Sequence, residues 1–424
     1  MTVAPRTDGA IDRTVRIPFN RPSLQGREIE YIRAAVERGH TSAEGPFSAR
    51  AATLLRQDLD AQDVLLTTSC TAALEMSALL LGVGPGDTVV VPSFGFVTTA
   101  LAFARAGARI LFCDIEEYTL GLDPSRLAEI MDDSVRAVVP IHYAGVGCDI
   151  EGIQWVLARW PQAELVEDNA HGLYGRYRDH PLGGFGRFST LSFHETKNFI
   201  CGEGGALVVN REDDVRRAHV MYHKGTNRRE FLLGEVDKYT WQDTGSSFGL
   251  ADVLAAYLCG QLEEREKVLT KRRTAFDRYQ SMLEPEAERL GFTLPTIPRD
   301  REQAYHMFYV LLPDGETRDR VLSRMRDRGV LATFHFVPLH RSPGGRRFAA
   351  RDLACPVSEH ISGRLLRLPF YTELTAAEAD EVVDAFLGAL RPPGARSRRH
   401  RESTPTAAST TIGTSAVARK RTLP

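Results

Sequence analysis

The chain has 424 residues, of which 43% are hydrophobic and 25% charged, with a formal net charge of −2. That length suggests two or three domains around a sizeable core, and the balance excludes a fibrous or wholly disordered chain. The charge is unevenly spread: Arg391–Pro424 carries eight Lys/Arg against the single acid Glu402, which leaves the rest of the chain at −9. An acidic body argues against nucleic acid as a partner, because duplex binding rests on basic surface that neutralises phosphates.

Residues 1–16 carry charges but no apolar signal-type segment, and no apolar run approaches the ~18 residues a membrane helix needs. Neither export nor membrane insertion is expected, and this end reads as a flexible lead-in. The first patterned segment is Thr67-Thr68-Ser69-Cys70-Thr71-Ala72-Ala73-Leu74, where small hydroxyl residues open a helical run through Met76 and Leu80. Exposed N–H groups at such a helix start suit a phosphate.

Short apolar runs follow at Val89-Val90-Val91-Pro92, Ile110-Leu111-Phe112-Cys113-Asp114, Ala137-Val138-Val139-Pro140 and Glu164-Leu165-Val166-Glu167-Asp168. Each reads as a buried strand, and amphipathic stretches such as 125–131 separate them. The alternation predicts an α/β fold, a mostly parallel sheet with helices on both faces. Ligands bind such sheets beyond the carboxyl ends of the strands. There lie Phe94 and Phe96, in a loop able to lay one ring on a flat cofactor, and Asp168, a carboxylate able to pair with a protonated pyridine nitrogen.

About thirty residues further on stands Ser192-Phe193-His194-Glu195-Thr196-Lys197-Asn198, then Gly202-Glu203-Gly204-Gly205. A lone lysine is usually a solvated surface group; Lys197 is set apart by the company it keeps. A charged helical pattern begins near Gln261, and 307–312 and 331–335 look like strands around a helix at 318–328. The expected division is a large domain over 17–264 and a smaller α+β domain over 265–390. The Arg-Pro-Pro-Gly stretch after Leu390 marks a boundary, and 391–424 reads as a basic, disordered, solvated tail. Six scattered cysteines form no C-x-x-C pair and no zinc-ligand spacing, so a reduced cytoplasm and no metal site are expected.

Taken together, these segments resemble the DegT/DnrJ/EryC1/StrS sugar aminotransferases, fold-type I enzymes that use pyridoxal 5′-phosphate, over nearly the whole of 17–390. Within that group the likeness is greatest to TDP-4-keto-6-deoxy-D-glucose 4-aminotransferases of the WecE type. Four stretches carry it: Ser192 to Asn198 above, Lys224-Gly225-Thr226-Asn227-Arg228, Val236-Asp237-Lys238-Tyr239-Thr240-Trp241 and Ala304-Tyr305-His306-Met307-Phe308-Tyr309.

The resemblance implies that Lys197 bonds the cofactor covalently and moves the reaction's proton, Asp168 holds the pyridine nitrogen and His171 lies near the ring hydroxyl. Phe96 stacks on the ring, while Cys70, Thr71, Ala72 and Ser192 hold the phosphate. It implies a homodimer with interfacial sites, in which Lys224, Asn227, Arg228, Ser246 and Ser247 reach the partner's site. His194, His306, His335 and His340 fall in substrate-facing segments.

Where many relatives carry an asparagine on the phosphate this chain aligns Gly249, which leaves Ser246 or Ser247 to substitute. The 197–203 loop is also one residue shorter than in some WecE-type relatives. L-Glutamate and a TDP-linked 4-keto-6-deoxyhexose are the implied substrates. A 3-keto-sugar aminotransferase would carry the same cofactor residues, whereas a pyridoxamine-dependent sugar dehydratase typically has histidine at the Lys197 position. A non-catalytic regulator would have to work through its tail.

Overall fold

The computed structural model describes residues 15–391. The lead-in before Val15 and the basic tail after Arg391 lie outside the described residues. Among those described, the strands are β1 (Asp63–Thr67), β2 (Thr88–Pro92), β3 (Arg109–Cys113), β4 (Val135–Val138), β5 (Glu164–Asp168), β6 (Arg176–Tyr177) and β7 (His180–Pro181), followed by β8 (Phe188–Ser192), β9 (Gly205–Val209), β10 (Arg301–Glu302), β11 (Tyr309–Leu311), β12 (Thr333–Phe334) and β13 (Leu365–Arg367).

Seven of them form one sheet in the order β1-β9-β8-β5-β4-β2-β3. The neighbours from β8 through β3 run parallel, and β9 is antiparallel to both β8 and β1. The expected parallel α/β sheet is thus present, with one reversed strand inserted. Its strands are buried on both faces, which is why they read as continuous apolar runs. Val89, Val91, Ile110, Phe112, Ala137 and Val166 pack with Leu74, Met76 and Phe103 of the helices Cys70–Leu80 and Val97–Ala106. The alternate residues Val90, Leu111, Cys113, Val138 and Leu165 meet Leu127, Ile150 and Ile153 from the opposite side. Each such side chain contributes roughly 1.5–3 kcal/mol relative to exposure.

A three-stranded antiparallel sheet, β11-β13-β12, carries the long helix Arg265–Leu290 and the helices Gly315–Asp327 and Ala376–Leu390 on one face. Val310 and Leu366 enter that core. Tyr309, Leu311 and Leu365 point the other way, against Phe94 and Tyr143 from the loops beyond β2 and β4. Strand alternation therefore turns Arg367 to the same side as Leu365. The helical pattern expected from Gln261 proves to be two helices, Asp252–Glu263 and Arg265–Leu290. The strand expected over 331–335 narrows to Thr333–Phe334.

Candidate active site

Topology gathers the candidate residues at one edge. With β2, β4, β5 and β8 parallel, the chain leaves Pro92, Asp168 and Ser192 on the same side of the sheet. Thr67, at the end of β1, is paired with Gly205 at the start of β9, and Ser192 is paired with the same glycine. The helix beginning at Cys70, the Phe96 loop, Asp168 and the Lys197 loop consequently all open from that edge. Gly205 is required there: a Cβ would lie 2.4 Å from the Cys70 nitrogen. The backbone thereby closes up against a helix N-terminus whose first N–H groups have no intrahelical partner. Ser69 caps that helix by accepting from the Ala72 N–H at 3.1 Å.

Asp168 is buried. Its Oδ2 accepts from the Thr99 hydroxyl at 2.7 Å and its Oδ1 from the Ala170 N–H at 3.2 Å. Burial pushes its carboxyl up, against the pull of those donors and of Lys197. Its neighbour Glu167 faces the other side of the sheet. Wholly buried, Glu167 accepts from His142 at 2.9 Å and from the N–H groups of Gly183, Phe185 and Gly186 at 2.7–2.8 Å.

Lys197 is partly buried. Burial, together with the positive charge of Arg367, lowers its ammonium to about 8, although Cys70 and Asp168 pull upward. Ala170, His171, Ser192, Lys197, Asn198 and His306 line one small cavity, and Lys197 also borders a second with Asn20, Glu195 and Tyr371. The rings of His171 and His306 stack at 4.1 Å. Burial drives both well below the ordinary histidine range, so both are neutral. His306 Nδ1 contacts Asn198 Oδ1 at 3.0 Å, whereas His171 Nδ1 is buried with no partner.

Arg272 donates to the carbonyls of Tyr305 and His306 at 2.8 and 2.7 Å, fixing Tyr305 in a left-handed conformation (φ 52°) that a tyrosine seldom adopts. The Cys70 thiol, which burial pushes up, lies 3.5 Å from Thr190 Oγ1; Thr71 and Ala72 occupy the same first turn. Phe96 is 57% exposed, its ring 6.3 Å from Phe336.

The remaining candidates have other surroundings. His335 Nδ1 meets the Tyr143 hydroxyl at 3.1 Å and its Nε2 meets Arg367 at 2.7 Å. Both nitrogens of His340 are likewise engaged, by Ser93 and by Glu359. His194, outside both cavities, contacts Thr196 at 2.9 Å. Lys224 and Arg228 are exposed, and Asn227 accepts from the Thr240 N–H at 2.7 Å. Ser246 and Ser247 are exposed on a segment that bridges to His223. None of these five lines the cavities at Lys197.

Sequence reading missed Thr99, Tyr143, Asn198 and Arg367. The last carries a detectable signal, a lone arginine inside the apolar run Leu365-Leu366-Arg367-Leu368.

Residues 22–387 match the model of the DegT/DnrJ/EryC1/StrS aminotransferase family. The chain belongs to that family. It is 29% identical over 378 residues to the spore coat polysaccharide biosynthesis protein SpsC of Bacillus subtilis (strain 168), covering 87% of this chain and 96% of that one. Among solved structures it is similar to the aminotransferase TlmJ of Streptoalloteichus hindustanus, with a TM-score of 0.81 and 28% identity over 88% of this chain and 98% of that one. Its fold is also that of Spr1654 from Streptococcus pneumoniae in a PLP form, with a TM-score of 0.81 and 22% identity over 88% and 98% of the two chains.

This family member is a pyridoxal-phosphate enzyme. The residues present fit the cofactor: a lysine of lowered basicity, a buried carboxylate, a partnerless histidine nitrogen and a helix start closed by glycine. Among the described residues no helix is long and apolar enough to cross a membrane.

Proposed function

We propose that this enzyme transfers an amino group from L-glutamate to TDP-4-keto-6-deoxy-D-glucose, giving a TDP-4-amino-4,6-dideoxyhexose. The transaminase half of this reading is carried by Lys197, an amine whose ammonium burial lowers to about 8 against the upward pull of Cys70 and Asp168. Bound pyridoxal phosphate supplies the electron sink that makes the substrate α-hydrogen acidic. Lys197 would hold the cofactor, and its neutral Nζ would take the proton from the donor's Cα and supply one to the aminated carbon of the sugar. Asp168, oriented by Thr99 and Ala170, would hold the cofactor's pyridine nitrogen. The first turn at Cys70, Thr71 and Ala72, with the Ser192 hydroxyl, binds the phosphate, and Phe96 covers the ring.

The sugar half rests on the stretches at 192–198, 224–228, 236–241 and 304–309, and is supported by SpsC, named for polysaccharide biosynthesis. Lys197 would deliver the proton to the sugar's C4 from one face, so the orientation of the bound hexose would decide whether the product is gluco or galacto. A homodimer in the cytoplasm belongs to the same reading, with Lys224, Asn227, Arg228, Ser246 and Ser247 serving the partner's site and His194, His306, His335 and His340 on the substrate side.

The test is incubation with pyridoxal phosphate, L-glutamate and TDP-4-keto-6-deoxyglucose, followed by mass and the H3–H4 and H4–H5 couplings of the nucleotide sugar. An amino sugar is expected. If glutamate converts the cofactor while the ketone returns unchanged, the transaminase stands and 3-keto isomers become the substrates to try.

A further inference from the structure

Ala304, Tyr305 and His306 belong to no helix or strand, yet their backbone is pinned at four points. The Ala304 N–H donates to the Gly145 carbonyl at 2.9 Å, and the Ala304 carbonyl accepts from Nδ2 of Asn198. The carbonyls of Tyr305 and His306 accept from Arg272, a buried guanidinium whose third nitrogen donates to Thr372. Gly145 lets the two segments meet: a Cβ there would lie 3.0 Å from both the Ala304 Cβ and the His171 carbonyl oxygen. A left-handed tyrosine and a buried guanidinium are each unfavourable alone, so their pairing around three irregular residues points to a task at the site.

The bracing fixes the place of one ring. The buried His306 imidazole lies face to face with His171, 4.1 Å between centroids and 17° between planes, while Tyr143 meets His171 edge-on at 5.9 Å. Ring contacts therefore set the plane of His171 and leave its Nδ1, buried and without a partner, open to a ligand. Asn198 settles His306 in turn. A carbonyl only accepts, so Nδ2 of Asn198 faces Ala304 and its Oδ1 faces His306, whose Nδ1 must carry a hydrogen. Asn198 adjoins Lys197, so one amide ties the lysine loop to the ring stacked on His171.

We propose that His306 is a positioning residue for the cofactor: stacked on His171 and held by Asn198, it aims the unpartnered Nδ1 of His171 at the cofactor's ring hydroxyl. His306 belongs to the substrate side by position, but its ring is engaged by His171 and Asn198, so its removal acts on the cofactor rather than on the sugar. A hydrogen bond at the ring hydroxyl tunes the electronics of the conjugated ring, which makes the cofactor's own absorbance the natural reporter. The proposal rests on the reading that places His171 beside that hydroxyl, and not on the identity of the sugar.

The experiment is a double-mutant cycle of His171→Ala and His306→Leu in the holoenzyme. It reads the visible absorbance of the bound cofactor against pH, and the affinity for pyridoxamine phosphate. His306→Leu alone is expected to displace the absorbance midpoint by about half a pH unit or more and to weaken pyridoxamine phosphate by about 10-fold. Its KM for TDP-4-keto-6-deoxyglucose should stay within about 2-fold of the wild type. In the His171→Ala background the same substitution should move neither cofactor reading further, because the atom it aims is gone. Asn198→Ala should reproduce the His306→Leu shift in smaller measure and add nothing to it.

Additive effects of His171→Ala and His306→Leu overturn the proposal, since His306 would then act without His171; so does a change confined to the sugar KM, which would make His306 a substrate contact. If His171→Ala itself leaves the absorbance and its midpoint as in the wild type, the reading of His171 at the ring hydroxyl is what fails, and the proposal falls with it. Should His306→Leu not fold, Asn198→Ala takes its place in the cycle with His171→Ala. The absorbance cycle needs no sugar, so it decides the role of His306 even where the sugar half of the proposed function falls.

Discussion

The pocket around Lys197 and the segment from Lys224 to Ser247 contrast sharply. In the first, Asp168, His171, Asn198 and His306 are buried and mostly hydrogen-bonded, the first three from strand ends and loops at one edge of the large sheet and His306 from the segment before β11. In the second, Lys224, Arg228, Ser246 and Ser247 are exposed, and so are Leu232, Leu233, Tyr239 and Trp241, the last at 82%. Large apolar groups clustered in solvent mark a surface made to be covered. The contrast teaches that one chain buries a cradle of groups proposed to hold the cofactor, while the residues proposed to serve a partner's site project from it.

Breaking the cradle should have the largest effect. Lys197→Ala is expected to lower turnover by at least ~10⁴-fold while pyridoxamine phosphate still binds, read as product formation beside cofactor absorbance. Asp168→Ala should weaken cofactor retention and lower kcat by roughly 10²–10³-fold; a variant that keeps both would remove Asp168 from the site. On the other side of the comparison, Trp241→Glu should shift self-association in sedimentation by ~10-fold or more. Unchanged assembly would separate the exposed segment from any dimer surface.

A gentler probe is covalent loading of the apoenzyme. Its rate should rise with pH through about 8, because the nucleophilic neutral amine of Lys197 dominates above its lowered pKa. A rise delayed to the ordinary lysine range would show that the amine is not buried as described. The smallest effect is expected from truncation after Leu390, with turnover within about 2-fold; a large loss would move the working part to the tail.

Much of the cradle was legible in the sequence because its residues sit beside local signals. Asp168 ends an apolar strand, Cys70 follows a hydroxyl-rich helix start, and Lys197 precedes a glycine-rich turn. What escaped was tertiary. Thr99 reaches Asp168 across 69 positions of chain, and Arg367 meets His335 only because β13 lies in the same small sheet as β12. His340 read like His335, yet its two nitrogens are engaged by Ser93 and Glu359, a fate no local pattern records. The reversed strand β9 was equally hidden, since its run Ala206-Leu207-Val208-Val209 has the composition of its parallel neighbours.

The adjacent acids Glu167 and Asp168 bear on how the site moves. Glu167 ties three amides of the 183–186 loop and His142 to the strand that carries Asp168. To release that carboxylate from its aim, the protein must open the whole clamp at once, an event set by subglobal unfolding rather than by side-chain rotation. Hydrogen exchange at Gly183, Phe185 and Gly186 would therefore run on the slow clock of the core, and the strand that carries Asp168 would stay still through many turnovers.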